Sequence, residues 1–198
     1  MELMNISEGD GMEATKHRIL TEAIRLFAAD GYEAVSVERI ARAVGIKAPS
    51  LYKHYRSKRD IFDSILREME RRDAENASSC HVPEGTMADM PDAYEHTAQD
   101  DLIAFCRHMF RYWTEDAFAS AFRQMLTVEQ YRSPEMNALY HQYLGAGPLQ
   151  YTADLLGSMT RALALCGPMH LLYSVYDAAE DKDEVKHMWE EHLRAWMK

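Results

Sequence analysis

The 198-residue sequence lacks the features that mark membrane, secreted and fibrous proteins. It has no run of 18 apolar residues, so we expect no membrane-spanning segment. Residues 1–12 contain no Lys or Arg and no apolar stretch, which argues against a secretory signal. Only 9 glycines and 6 prolines accompany 47% hydrophobic residues. This composition excludes collagen-like repeats and extensive disorder.

Cysteine is also scarce. Cys80, Cys106 and Cys166 lie far apart and form no CxxC pair. Such an odd, scattered set does not suggest a disulfide framework, and a reducing cytoplasm is the expected setting. Cys166 and His170 could share one helix face and bind zinc, but two ligands do not make a site. We therefore predict no metal.

Catalytic motifs are missing as well. The chain contains no GxSxG, HExxH, P-loop or Rossmann glycine pattern. The acidic pairs at 100–101 and 190–191 are adjacent in sequence, so the two members of each pair point to different sides of a helix. We expect neither an enzymatic activity nor a bound cofactor.

The chain also lacks a net positive charge, because its formal net charge is -10. The charge is, however, unevenly distributed. Residues 36–59 contain seven basic residues against the single acid Glu38, whereas residues 73–198 contain 9 basic and 20 acidic residues. A chain with one basic segment and an acidic remainder can bind a polyanion locally.

Apolar residues recur at helical spacing throughout, and no stretch alternates like a strand, so the sequence predicts an all-α fold. A polar segment at 76–92, containing three of the Gly and Pro residues, predicts a loop and a domain boundary. Ser133-Pro134-Glu135 predicts a helix start. Gly145–Pro148 predicts a turn, and Gly167-Pro168 is expected to start or kink a helix.

The most informative segment is SVERIARAVGIKAPSLYKHY at 36–55. Ser36 is a suitable N-cap for a short helix that Gly45 ends, and a second short helix is expected from about Ala48 to Tyr55. Two short helices joined by a tight turn are typical of a helix-turn-helix unit that reads the DNA major groove. Short helices also occur in many bundles, but the basic excess makes that simpler interpretation less favourable.

With the preceding LFAADGYEAVSV and the following RSKRDIF, this segment resembles the tetracycline-repressor (TetR/AcrR) family of bacterial transcription regulators. The resemblance covers about residues 13–72, and the LY-x-H-Y-x-x-K signature is its most specific part. It implies a DNA-binding domain of three to four helices at 13–72, with the helix-turn-helix at about 36–55. Residues 73–198 would then form an all-helical domain for effector binding and dimerisation.

The resemblance also implies contacts with a palindromic DNA operator. In this sequence the corresponding residues would contact bases or phosphates: Ser36, Lys47, Pro49, Ser50, Tyr52, Lys53, His54 and Lys58. Leu51 and Tyr55 are better explained as packing residues.

The C-terminal half has no comparably specific motif. Its aromatic and methionine residues are most simply core residues. They could also line a cavity for a flat, apolar effector of unknown identity. The candidates for such a cavity are Phe110, Trp113, Phe118, Phe122, Met125, Tyr140, Tyr143 and Tyr173.

The final helix, at about 183–197, has an apolar stripe with two Trp residues that must be buried, either on its own subunit or on a partner. The resemblance implies that this helix and the preceding one, at about 162–178, form a homodimer interface. The alternative is a helix that covers its own subunit. The predicted interface residues are Met169, Leu172, Tyr176, Val185, Met188, Trp189, His192 and Trp196.

These observations predict a cytoplasmic, homodimeric, DNA-binding transcription regulator, most simply a repressor that a small-molecule effector releases. An activator or a ligand-independent family member would have the same domains. The alternative from another class is a helical small-molecule or metal-binding protein whose helix-turn-helix is not functional.

Overall fold

The computed structural model describes residues 8–83 and 87–198. These residues form eleven helices and no strand, which confirms the all-α prediction. The first four helices are α1 (Glu8–Asp30), α2 (Val37–Val44), α3 (Ala48–Leu51) and α4 (Lys58–Ser79). The others are α5 (Pro91–His96), α6 (Gln99–Glu115), α7 (Ala117–Glu129), α8 (Pro134–Tyr143), α9 (Ala146–Leu156), α10 (Met159–Ala178) and α11 (Lys182–Trp196). Within the described ranges, no helix has both the length and the apolar character needed to cross a bilayer.

The first four helices pack around a common apolar core. The apolar face of α2, formed by Val37, Ile40, Ala41 and Val44, is buried. The ends of α2 are capped as the sequence indicates, because the Ser36 hydroxyl accepts a hydrogen bond from the backbone N–H of Arg39 and Gly45 adopts φ 78°. Phe27 of α1, Leu51 of α3 and Phe62 of α4 are fully buried in the same core. This packing holds the turn between α2 and α3 in place.

Helix α3 is shorter than predicted. It ends at Leu51, and the chain continues to Tyr55 in tight turns in which Lys53 and His54 donate backbone hydrogen bonds to Ser50 and Leu51. These bonds span three residues rather than four, so the last part is wound more tightly than an α-helix.

The polar segment at 76–92 was predicted to be a loop, but helix α4 extends into it. It runs to Ser79, and the short helix α5 follows at Pro91–His96 inside that segment. The C-terminal half of α4 therefore packs with the later helices, and α4 is shared by both halves of the chain.

Other helix boundaries in the C-terminal half are partly as expected. The Ser133 hydroxyl caps α8 by accepting from Met136 N–H, as predicted. Gly147 and Pro148, predicted in a turn, lie in the first turn of α9, where the missing N–H of proline is tolerated. Helix α10 begins at Met159 with a Ser158 cap, so Gly167-Pro168 does not start it but lies inside it.

The two halves of the chain meet where α1 ends against α7. Glu129 is only 2% exposed, and its carboxylate accepts hydrogen bonds from the backbone N–H of Tyr32 (3.0 Å) and from Arg132 (3.1 Å). A second link joins α4 to α8, where the Arg59 guanidinium makes two hydrogen bonds, of 2.8 and 2.7 Å, to the Glu135 carboxylate. Polar contacts thus fix the orientation of the N-terminal helices relative to the rest.

Gly31 at the end of α1 provides a stability test of this junction. Its φ is +86°, and a Cβ there would lie 2.7 Å from the Glu129 Oε1 and 2.8 Å from an Arg132 Nη1. We expect Gly31→Ala to lower the free energy of unfolding by about 2 kcal/mol or more, because a left-handed alanine costs about 1–2 kcal/mol and the buried Glu129 contacts must also shift. Urea denaturation measures this.

Gly45→Ala is the matched control. Gly45 has a similar φ of +78° but open space where its Cβ would be. It should show only the backbone cost, so equal destabilisation by the two alanines would contradict a structural role for the Gly31–Glu129 contact.

Candidate nucleic-acid interface and interior cavity

The basic residues at 36–59 fall into two groups in the structure. Arg42, Lys47, Lys53 and Arg56 have exposed side chains that make no ion pair among the described residues. They lie on α2, on the turn before α3 and just after α3. This group is therefore free to neutralise phosphate charges.

The other three basic residues are already paired. Arg39 contacts Asp30 at 2.6 Å, and Arg59 contacts both Asp63 and Glu135. Lys58, expected from the resemblance to hold a phosphate, donates to the Tyr32 carbonyl at 2.9 Å and lies over the Tyr32 ring. It stands at the first residue of α4, so its present partners anchor α4 to the end of α1.

Six of the eight predicted DNA-contacting residues lie on α3 or in the turns beside it, whereas Ser36 caps α2 and Lys58 begins α4. Their exposure decides which can reach a partner: Tyr52 is 48% exposed, and Lys47, Pro49 and Lys53 are exposed as well. Ser50 and His54 are half-buried, and the Nδ1 atom of His54 is buried without a hydrogen-bond partner among the described residues.

Leu51 and Tyr55 turn inward from the same turn, as the sequence predicts. Leu51 is fully buried, and the Tyr55 hydroxyl donates to the Lys16 carbonyl of α1 at 3.4 Å. Burial raises the pKa of Tyr55 to about 12, so this hydroxyl stays protonated. These two residues hold the turn on the core while a hydroxyl, ammonium groups and an aromatic edge face outward, which suits hydrogen bonding to base edges and phosphates.

A cavity of about 420 Å³ lies in the C-terminal half. Helices α4, α6, α8, α9 and α10 all contribute side chains to its wall. The described residues that line it are Asp73, Asn76, Val82, Pro83, Phe105, Cys106, Met109, Trp113, Gln142, Tyr143, Leu144, Pro148, Tyr151, Thr152, Cys166, Met169, His170 and Tyr173. Its volume suits a small organic molecule.

Three of the predicted ligand-binding residues, Trp113, Tyr143 and Tyr173, line this cavity. The other five lie outside its wall: Phe110, Phe118, Phe122, Met125 and Tyr140. Phe110, for example, is enclosed between the rings of Tyr173 (5.8 Å) and Trp189 (5.5 Å). Phe110, Phe118, Phe122 and Met125 are buried in the core beside the cavity instead, and the half-buried Tyr140 packs against that core.

Sequence reasoning missed the polar residues of the cavity. Asp73 and Asn76 are three residues apart on α4, which places them on one helix face. The sequence pattern predicts a loop from residue 76 onward, so it gives no indication that these two side chains share a face. Several polar groups in the wall have partners in the protein: the Tyr151 hydroxyl donates to the Pro83 carbonyl at 2.7 Å, and the Cys166 thiol contacts the Thr152 hydroxyl at 3.5 Å.

The predicted dimer residues mostly face their own subunit. Met169, Leu172, Val185 and Trp189 are buried, with Trp189 only 1% exposed. Tyr176, His192 and Trp196 are half-buried, and Met188 is exposed. The outer stripe of α10, spaced by four residues, is apolar instead: Leu163 is 53% exposed and Leu171 65%, and Val175 continues the stripe.

Cys166 and His170, the pair weighed for zinc, both line the cavity. Both His170 ring nitrogens lie near backbone carbonyls, those of Cys166 and Leu144. Over residues 8–83 and 87–198, no three or more His, Cys, Asp or Glu side chains gather as metal ligands would.

Comparison with known proteins gives sequence matches for the N-terminal half of the chain and a fold match for nearly all of it. Residues 19–65 match the family described as bacterial regulatory proteins, tetR family. The HTH-type transcriptional repressor Rv1474c of Mycobacterium tuberculosis is 33% identical over 95 residues, which are 48% of this chain and 49% of that protein. The repressor AcnR of Corynebacterium glutamicum is 32% identical over 95 residues, 46% of this chain and 50% of AcnR. The chain thus spans about half the length of the curated relatives it matches.

The similarity in fold covers more of the chain than the similarity in sequence. The fatty acid degradation regulator FadR from Bacillus halodurans superimposes with a TM-score of 0.62, covering 92% of this chain and 94% of that one at 14% sequence identity. At that identity the match establishes the shared fold alone. The N-terminal helices therefore resemble known proteins in both sequence and fold, whereas the C-terminal helices resemble them in fold.

Proposed function

We propose that the chain is a sequence-specific DNA-binding transcription regulator, acting as a cytoplasmic repressor, because residues 19–65 match the family described as bacterial regulatory proteins, tetR family. The observation that carries the proposal is the surface around α3. There, Lys47, Tyr52 and Lys53 project from a helix-turn-helix whose inner residues are fully packed. The printed names of the relatives, transcriptional repressors, support the same sign of regulation.

In this proposal α3 enters the major groove. Tyr52 and Lys53 would contact base edges and nearby phosphates, and the Ser36 end of α2 would contact the backbone. The four unpaired cations would add phosphate contacts, whereas the acidic C-terminal half would be repelled from DNA. The protein would therefore bind DNA through one face only.

A second copy of the chain would supply the second half-site. The exposed stripe of α10, Leu163, Leu171 and Val175, together with Met188 of α11, offers an apolar face that a twofold-related copy could cover. Two α3 helices would then read successive major grooves about 34–36 Å apart on a palindromic operator. This face shares Met188 with the predicted interface residues and adds Leu163, Leu171 and Val175.

Effector binding would control that spacing through α4. The helix starts at Lys58 beside the DNA-reading unit and carries Asp73 in the cavity wall about 22 Å further along, at 1.5 Å per residue. A ligand that prefers a different position of α4 would shift the population away from the DNA-binding arrangement. The contacts of Glu129 and Glu135 with the N-terminal helices would carry the same movement.

Selection of bound duplexes from a random DNA library tests the proposal directly. We expect enrichment of an inverted repeat, and fluorescence anisotropy should show at least about a thousandfold preference for that repeat over an unrelated duplex of equal length. Titration at two salt concentrations separates the specific part from charge-driven binding, which falls steeply with salt. The DNA upstream of the chain's own gene is a further candidate operator.

Equal, weak and salt-sensitive binding to every duplex would contradict the proposal. The helical small-molecule-binding protein with a non-functional helix-turn-helix would then be the better explanation. An enriched motif whose occupancy raises transcription in vitro would leave DNA reading in place and replace the repressor by an activator.

A further inference from the structure

One charged group in the cavity has no partner. The Asp73 carboxylate lines the wall, is half-buried, and makes no hydrogen bond or ion pair with any described residue. The two neighbouring arginines on α4 are paired with other carboxylates: Arg72 with Glu68 and Asp116, and Arg71 with Glu68 and Glu75. A carboxylate removed from water without a counter-ion is costly to keep, so it points to a ligand that supplies one.

The described part of the cavity wall contains no Lys or Arg, and Asp73 is its only carboxylate. The one imidazole in it, that of His170, faces two backbone carbonyls with its ring nitrogens. An anionic ligand, such as a carboxylate or a phosphate, would lose its hydration, find no Lys or Arg partner and meet Asp73 at close range. A positively charged ligand would gain a counter-ion at the same place.

Aromatic rings complete the chemistry. Trp113, Tyr143 and Tyr151 contribute rings to the wall, and the electron-rich faces of such rings attract cations. Tyr143 is close enough to Asp73 for the carboxylate to help raise the pKa of its hydroxyl, to about 12, although burial is the larger cause. The negative group and at least one of these rings therefore belong to the same part of the cavity.

Resting on the proposed function, we infer that the effector is a lipophilic cation: an organic ammonium group, paired with Asp73, on an apolar or aromatic body that fills the rest of the cavity. A volume of about 420 Å³ accommodates such a molecule. Asn76, on the same face of α4, lies beside the charged end, while Met169 and Phe105 contact the apolar body.

Burial makes the ionised form of Asp73 less stable, which a cationic ligand would offset. Desolvation, with a smaller contribution from Glu70, raises the pKa of Asp73 to about 7. No positive side chain offsets this shift. A bound cation would stabilise the ionised form, and because Asp73 is part of α4, the resulting attraction acts on the helix that carries Lys58 at its other end.

Three matched probes test the charge preference on the full-length protein. They are 4-phenylbutyltrimethylammonium, its uncharged carbon isostere and the anion 6-phenylhexanoate, with binding followed by isothermal titration calorimetry and by Trp fluorescence. We expect the cation to bind about tenfold or more tightly than the neutral isostere, since a cation over an aromatic face beside a carboxylate gains about 1.4 kcal/mol or more. The anion should bind most weakly.

Asp73→Asn should abolish the difference between the cation and its neutral isostere while leaving the binding of the isostere unchanged. Glu70→Gln is the control, because it removes an exposed carboxylate one turn earlier on α4, outside the cavity wall. It should keep the full preference. Thermal melting of each variant checks folding, and the wild-type comparison of the three probes does not depend on any variant.

The outcomes separate this inference from the proposed function. Equal or tighter binding of the neutral or anionic probe, or no binding of any probe, would overturn the cationic effector. Operator binding is measured on the same samples without probe, so loss of sequence-specific DNA binding would overturn the regulator itself. A Glu70→Gln variant that loses the preference as fully as Asp73→Asn would show a general effect of α4 charge and would also contradict the role of Asp73.

Discussion

Replacing Tyr52 and Lys53 together with alanine is expected to weaken binding to the selected operator by about a hundredfold or more. Each side chain is exposed, and neither contributes to the buried core. A contact to a base edge contributes about 1–3 kcal/mol of discrimination, so losing two removes most of the preference for the operator. Binding to unrelated DNA should fall much less, because Arg42, Lys47 and Arg56 remain. Anisotropy titrations with both duplexes measure the two effects separately.

The control for this double variant removes the same side-chain types elsewhere. Tyr131 is 86% exposed at the end of α7, and Lys198 is exposed at the C-terminus. Tyr131→Ala with Lys198→Ala should leave operator affinity within about twofold, because neither residue belongs to α2, α3 or the turns beside them. Unchanged operator affinity in a folded Tyr52/Lys53 variant would contradict the assignment of α3 as the DNA-reading helix.

The surface around α3 could be predicted from the sequence because its signals are local. A cap at Ser36, a left-handed Gly45 and apolar spacing along α2 each depend on a few neighbouring residues, and the structure shows all three. The division of the basic residues into paired and unpaired groups could not be predicted. It depends on partners such as Asp30 and Glu135, which the fold brings from distant parts of the chain.

The cavity was predictable only in part for a related reason. Apolar periodicity identifies which side chains face inward, but a core residue and a cavity-lining residue give the same pattern. Phe110 and Trp113 are one turn apart on α6, yet the first is enclosed by Tyr173 and Trp189 while the second lines the cavity. Only the positions of neighbouring helices decide between them. Asp73 was missed because the polar residues that follow it resembled a loop.

The proposed dimer gives the other large expected effect. Leu171→Glu should convert a dimer to a monomer at micromolar concentration, because Leu171 is 65% exposed on the outer stripe of α10. Twofold symmetry would place two unpaired carboxylates in one apolar interface, and burying such charges costs several kcal/mol. Sedimentation velocity measures the change in mass, and circular dichroism should show unchanged helix content, since the side chain faces away from its own core.

The same variant should lose operator affinity by about a hundredfold or more, since a monomer engages one half-site and loses the effective concentration that a linked second reader provides. Tyr131→Glu is the matched control: it places a carboxylate at a position that is also well exposed (86%) but not on α10, and it should remain dimeric. A Leu171→Glu protein that stays dimeric would place the interface elsewhere. A wild-type protein that is monomeric at micromolar concentration would favour the alternative in which α11 only covers its own subunit, because Trp189 and Leu193 are already buried there without a partner. The two measurements together therefore distinguish a wrong interface from the absence of any interface.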